Sequence, residues 1–163
     1  MDTKDAIRAS MDLSMMVLNS YLSDLDDAEL MTRPGEGCNH VAWQLGHLIN
    51  SEVNILNAVC PGKAAELPAG FAEAHSKETA GSDDPSQFLS KDEYLALWAK
   101  VRTNTVAALD QLTDEDLSAE GPENFRSFCP TVGHVMILML SHPMMHAGQL
   151  VPVRRKLNKP VLF

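Results

Sequence analysis

Apolar residues recur at steps of three and four along four stretches of the chain, and nowhere alternate as a half-buried strand requires. In the first stretch Ile7, Met11, Ser14, Leu18, Leu22 and Leu25 define one face, predicting a helix from about Thr3 to Leu25. The second opens at Asn39, a favourable N-cap after Gly35-Glu36-Gly37, and stops at Pro61-Gly62. Its buried stripe is Val41, Leu45, Leu48, Ile55, Leu56 and Val59. The third begins with Ser90-Lys91-Asp92-Glu93, a capping box in which Ser90 and Glu93 satisfy each other's backbone donors, and continues through Tyr94, Trp98, Val101, Thr105, Leu109 and Leu112. The fourth runs from Thr131 to about Leu157. The predicted class is all-α.

A weak repeat relates the two halves. Leu22-Ser-Asp-Leu25-Asp-Asp27 resembles Leu109-Asp-Gln-Leu112-Thr-Asp114, each following one long helix and preceding a Gly/Pro-containing stretch and a second helix. Two helical hairpins of like design pack as a four-helix bundle, here one domain over residues 1–163. Residues 61–89, rich in Ala, Gly, Ser, Asp and Pro, form a long crossover between helices two and three, and such loops often cover a site. His75 lies within it and is expected to face water.

Composition narrows the function classes. Hydrophobic residues are 45% of the 163 and charged residues 21%, ordinary for a globular protein. No apolar run approaches the roughly 20 residues that span a bilayer, and Met1-Asp2-Thr3-Lys4-Asp5 lacks the form of a signal peptide, so the expected compartment is the cytoplasm. Asp and Glu outnumber Lys and Arg by 22 to 13, which argues against neutralising nucleic-acid phosphates. The one basic cluster, Arg154, Arg155, Lys156 and Lys159, falls where the last helix ends and is read as complementing the helix dipole, with a small anionic substrate as the alternative. Cys38, Cys60 and Cys129 have neither disulfide nor CxxC spacing and are expected to be free thiols. Cys38 and Cys129 precede predicted helix starts, a position that can lower a thiol pKa, but no base adjoins them in sequence.

The stretch with chemical content is Ser141-His142-Pro143-Met144-Met145-His146-Ala147-Gly148-Gln149. His142 and His146 stand one helical turn apart, sharing a stripe with Val135, Met139, Gln149 and Val153. That stripe faces inward, where an unsatisfied imidazole nitrogen is costly. Two core histidines bonded to backbone or side chains would account for the pair alone. His47, on the polar but uncharged flank of the second helix with His40, Gln44, Ser51 and Asn54, supplies a third imidazole. Three neutral imidazoles leave positions open on Zn²⁺, Ni²⁺, Fe²⁺ or Mn²⁺, the pattern of a catalytic rather than a structural site. His40 and His134 are read as surface or supporting groups. Gln149 either orients a ligand or is a core amide. Pro143 is expected to bend the helix and tilt the paired histidines. Met136, Met139, Met144 and Met145 are read as core filler.

These residues carry a family resemblance. Asn39-His-Val-Ala-Trp43-Gln-Leu-Gly46-His47-Leu48, then Thr131-Val-Gly133-His-Val, His142-x-x-x-His146-x-Gly148-Gln149-Leu150 and the ending Leu157-Asn-Lys159-Pro160-Val-Leu-Phe163 resemble the DinB/YfiT-like superfamily over nearly the whole chain. The resemblance implies an up-down-down-up four-helix bundle, often dimeric, with one divalent metal ion on His47, His142 and His146. Several relatives are thiol transferases using low-molecular-weight thiols such as bacillithiol or mycothiol, and some isomerise maleylpyruvate. Pro143 between the paired histidines departs from the family pattern.

Two functions follow as expectations. One is a metal-dependent enzyme on a small molecule, with thiol S-transfer ahead of hydrolysis and a homodimer as its assembly. The other is a non-catalytic metal- or ligand-binding bundle associated with stress. A general base near the metal would favour the enzyme, and Glu52 and His134 are its candidates.

Overall fold

The computed structural model covers residues 1–163; its regular structure is helical, with one isolated bridge between Glu120 and Thr131. Four long helices, α1 (Thr3–Leu22), α2 (Val41–Val59), α4 (Lys91–Gln111) and α6 (Val132–Lys156), are accompanied by the short α3 (Phe71–Ala74) and α5 (Asp114–Ser118). Each long helix starts where a side chain can satisfy its free N–H groups. Asp2 and Ser90 form capping boxes with Asp5 and Glu93, and Thr131 accepts from the His134 backbone. For α2 the cap is His40 rather than Asn39: its Nδ1 accepts from the Trp43 N–H at 3.0 Å. The first helix ends at Leu22, yet Leu25 stays buried in the following turn.

The repeat corresponds to real local structure. Asp26 and Glu29 exchange side-chain-to-backbone hydrogen bonds of 2.8 and 2.9 Å, and Thr113 and Asp116 form the same reciprocal box at the start of α5. α1 packs on α6, α6 on α2, α2 on α4, and α4 more lightly on α1, which closes the ring.

The basic cluster at the end of α6 does more than complement a dipole. Arg154 is fully buried, forks onto Asp24 at 2.6 and 3.0 Å, and donates to the Tyr21 carbonyl. Its guanidinium holds the Asp24 carboxyl below the ordinary carboxylate range. Lys159 adds an ion pair to Glu29, so the chain after α6 is tied to the segment that follows α1.

The core consists of two apolar clusters, and all four long helices pass from one to the other. On α1 the change falls between Met11 and Leu18, around buried Ser14. On α2 it falls between Val53 and Ile55, beside Glu52. On α4 it falls between Val101 and Ala108, around Arg102 and Thr105, and on α6 between Leu140 and Ala147, around His142 and His146. A polar layer therefore crosses the bundle between two greasy halves.

The crossover is pinned to the outside of α2. His75 does not face water. It is buried with its ring in the notch left by Gly46, where an added Cβ would lie 2.0 Å from a ring carbon. Its Nδ1 meets the Phe71 carbonyl and its Nε2 the Tyr94 hydroxyl, both at 2.7 Å. The Trp43 indole donates to the Ser76 carbonyl, and His40 Nε2 donates to the Ser82 carbonyl. His40 is thus a buried joint between helix and crossover. Met144 and Met145 are exposed, so only Met136 and Met139 serve as core filler.

Candidate metal centre

His47 projects from α2 towards α6, which carries His142 and His146 one turn apart. Each ring has a nitrogen within 4.8 Å of a nitrogen on the other two. The three rings meet with centroids 4.9 to 5.5 Å apart. His142 Nε2 and His146 Nε2 are 3.2 Å apart. Two nitrogens each about 2.0–2.1 Å from one cation stand roughly 2.9–3.4 Å apart at octahedral to tetrahedral angles. The His142–His146 spacing thus fits a first-row divalent ion, and His47 brings a third nitrogen to within 4.8 Å of that pair.

The orientation of His146 follows from a chain of hydrogen bonds. The Gln44 amide NH₂ donates to the Asn39 carbonyl at 2.7 Å, which turns its oxygen towards α6. That oxygen lies 2.9 Å from His146 Nδ1, so Nδ1 carries the proton and Nε2 presents a lone pair to the other two rings. His47 is held differently: its ring stacks on Trp43 at 4.9 Å and 8°. Trp43 is itself anchored on the crossover through Ser76. Pro143 sits buried between the paired histidines, and α6 continues through it as helix.

Electrostatics favour the ligating form of all three. Burial, followed by the neighbouring His47, pushes His142 down to about 4, and burial with His142 and His47 does the same for His146. Burial and then Lys77 lower His47. All three imidazoles are neutral at pH 7, as a metal requires.

The other sequence candidates are not brought to this cluster. Gln149 is exposed; Gln44, a residue read only as part of a polar flank, does the orienting instead. Its signal was its position three residues before His47 on the same flank. His134 is exposed at the start of α6, its Nδ1 2.7 Å from the Thr131 hydroxyl. Eight residues separate it from His142, about 12 Å along a helix. Glu52 is buried with both oxygens taken: Oε1 accepts from Thr105 at 2.6 Å, and Oε2 accepts from the Trp98 indole at 2.8 Å beside Arg102. Neither group stands as a free general base. Cys38, Cys60 and Cys129 are free, and burial raises the pKa of Cys60 and Cys129. No helix is long and apolar enough to cross a membrane.

Comparison with known proteins agrees with this architecture. A crystal structure titled as a conserved protein from Enterococcus faecalis superposes with a TM-score of 0.74 at 18% identity, covering 98% of this chain and 99% of that one. At that identity the likeness speaks for the fold alone. No curated protein matches. The family model of the DinB superfamily, however, matches residues 11–150, and it does so across both the His47 region and the His142-His146 pair, so the chain belongs to the DinB superfamily.

Proposed function

We propose that His47, His142 and His146 hold one divalent metal ion, and that the protein is a metal-dependent enzyme acting on a small molecule, of the thiol S-transferase type. The observation that carries this reading is a cluster of three neutral imidazoles, one already fixed in its ligating tautomer by Gln44. A bound cation would act as a Lewis acid, lowering the pKa of a thiol or water so that it is nucleophilic near neutral pH. The chain's own part is to keep His146 Nε2 unprotonated and to brace His47 on Trp43, with His146 buried and His47 and His142 half-buried between α2 and α6. We read the four long helices as the up-down-down-up bundle, which the closed ring of helix contacts supports. A second copy of the chain is the proposed partner of exposed Leu13, Met16, Ile137 and Met145 on α1 and α6.

One observation favours the second reading, a bundle that binds metal without turnover: the carboxylate and imidazole nominated as bases are engaged or remote. A substrate thiol activated by the cation alone needs no such base. A panel of low-molecular-weight thiols with electrophilic acceptors separates the two. Thioether formation that depends on added Zn²⁺ or Mn²⁺ and disappears with chelator supports the transferase. Full metal loading without any turnover supports the binder.

A further inference from the structure

Charge is scarce around the three histidines, although the chain as a whole carries −9. The α2 helix holds one charged residue, Glu52, whose carboxylate is turned inward onto Trp98 and Thr105. The α6 helix holds none between Val132 and Val153. A charged contact to a ligand of the centre therefore has to come from another element.

That element is the crossover, and two anchors fix where it passes. The His75 ring fills the notch at Gly46, one residue before His47. The Ser76 carbonyl accepts the Trp43 indole N–H at 3.0 Å, and the Trp43 ring stacks on His47. The Thr79 hydroxyl ties the turn between them, donating to the Ala74 and Ser76 carbonyls at 2.9 and 3.0 Å. Lys77 is the next residue, so its backbone is held beside the turn of α2 that carries His47. Its side chain is exposed. Burial first and the Lys77 charge second lower the His47 pKa, so ammonium and imidazole are close enough to interact. Lys4, Lys91, Lys156 and Lys159 each commit their ammonium to a backbone carbonyl, whereas Lys77 makes neither hydrogen bond nor ion pair. The adjacent Glu78 carboxyl is held by the Ser76 hydroxyl ahead of Lys77. A fixed backbone bearing an uncommitted cation at the rim of the centre suits recognition of an anion.

We propose that Lys77 selects the substrate: the thiol activated at the three-histidine centre carries a second, anionic group, a carboxylate in the simplest case, which Lys77 receives. The inference rests on the metal-dependent thiol reading above and adds the charge of its substrate. Three neutral imidazoles leave both charges of a divalent ion uncompensated, so a thiolate bearing one further negative charge is balanced there. Lys77 favours that second charge over a neutral or cationic group.

The test uses protein loaded with Co²⁺, whose thiolate complexes absorb in the near ultraviolet. Wild-type protein, Lys77→Gln, Lys77→Glu and Lys77→Arg are titrated with 3-mercaptopropionate, 2-mercaptoethanol and cysteamine, and cobalt content is measured on the same samples. The readout is the ratio of mercaptopropionate to mercaptoethanol affinity; comparing it between variants cancels differences in thiol basicity. Lys77→Gln is expected to lower the ratio about fivefold, the upper end of what an exposed charge pair contributes. Lys77→Glu should lower it further and strengthen cysteamine binding, and Lys77→Arg should retain it. Cobalt content and mercaptoethanol affinity should stay constant throughout. A ratio changed less than about twofold by both Gln and Glu, or equal weakening of all three thiols, overturns the role of Lys77. Cobalt-loaded protein that gives no thiolate band with any thiol overturns the thiol reading itself, and failure to take up cobalt overturns the metal centre. The inference falls with either.

Discussion

Gln44 controls the centre although it touches no metal. Its amide is oriented by the Asn39 carbonyl, and its oxygen decides which nitrogen of His146 carries the proton. Replacing it with leucine removes that control while keeping a buried side chain of similar size. Partners of this kind typically contribute about 10–100-fold to metal affinity. Gln44→Leu is therefore expected to weaken zinc binding by about that factor in a competition titration, with far-ultraviolet circular dichroism unchanged; unaltered affinity would show that His146 needs no such partner. Arg154 makes the contrasting point. Its charge is spent on Asp24 and the Tyr21 carbonyl, so a basic residue that looked like a helix-dipole or anion-binding group is a structural clasp.

Helices were legible because each is locally encoded. The Ser90-Glu93 box, the Thr131 cap and the Pro61-Gly62 stop all act within a few residues, and the predicted core stripe of α1 is buried from Ile7 to Leu25. The three histidines were legible for a related reason: helical periodicity puts His142 and His146 on one face, and the polar flank of α2 draws attention to His47. What periodicity does not encode is the crossover. His75 was expected in water because its neighbours are small and polar, whereas a notch made by Gly46, on a different element, takes up its ring. Gln149 failed for the opposite reason: the stripe drawn through His142 and His146 was too wide, and its edge is exposed. The notch gives a test of how the crossover is held. A methyl at Gly46 overlaps His75, and overpacking of this kind costs about 1–3 kcal/mol or more. Gly46→Ala is expected to lower stability in urea by at least that much and to speed proteolysis within residues 61–89. In a His75→Ala background the added cost of Gly46→Ala should shrink, since the clashing ring is gone. Equal costs in both backgrounds would place the restraint elsewhere.

Across the whole molecule, the polar layer is the feature that links fold to chemistry. Two apolar halves hold the helices together, and the polar residues that each helix contributes between them are His142, His146, Glu52, Arg102, Thr105 and Ser14. Such a layer weakens a core unless its groups are satisfied. Glu52 meets that demand with Trp98 and Thr105, and His146 with Gln44. The remaining lone pairs converge at one point between α2 and α6. That convergence is the central claim, and metal stoichiometry tests it most directly. Protein purified without an affinity tag and dialysed against Zn²⁺ should carry close to one ion per chain by elemental analysis. His142→Ala and His146→Ala should each reduce that to near zero while remaining helical. Wild-type protein that takes up no ion, or a folded His146→Ala variant that keeps full occupancy, would contradict it.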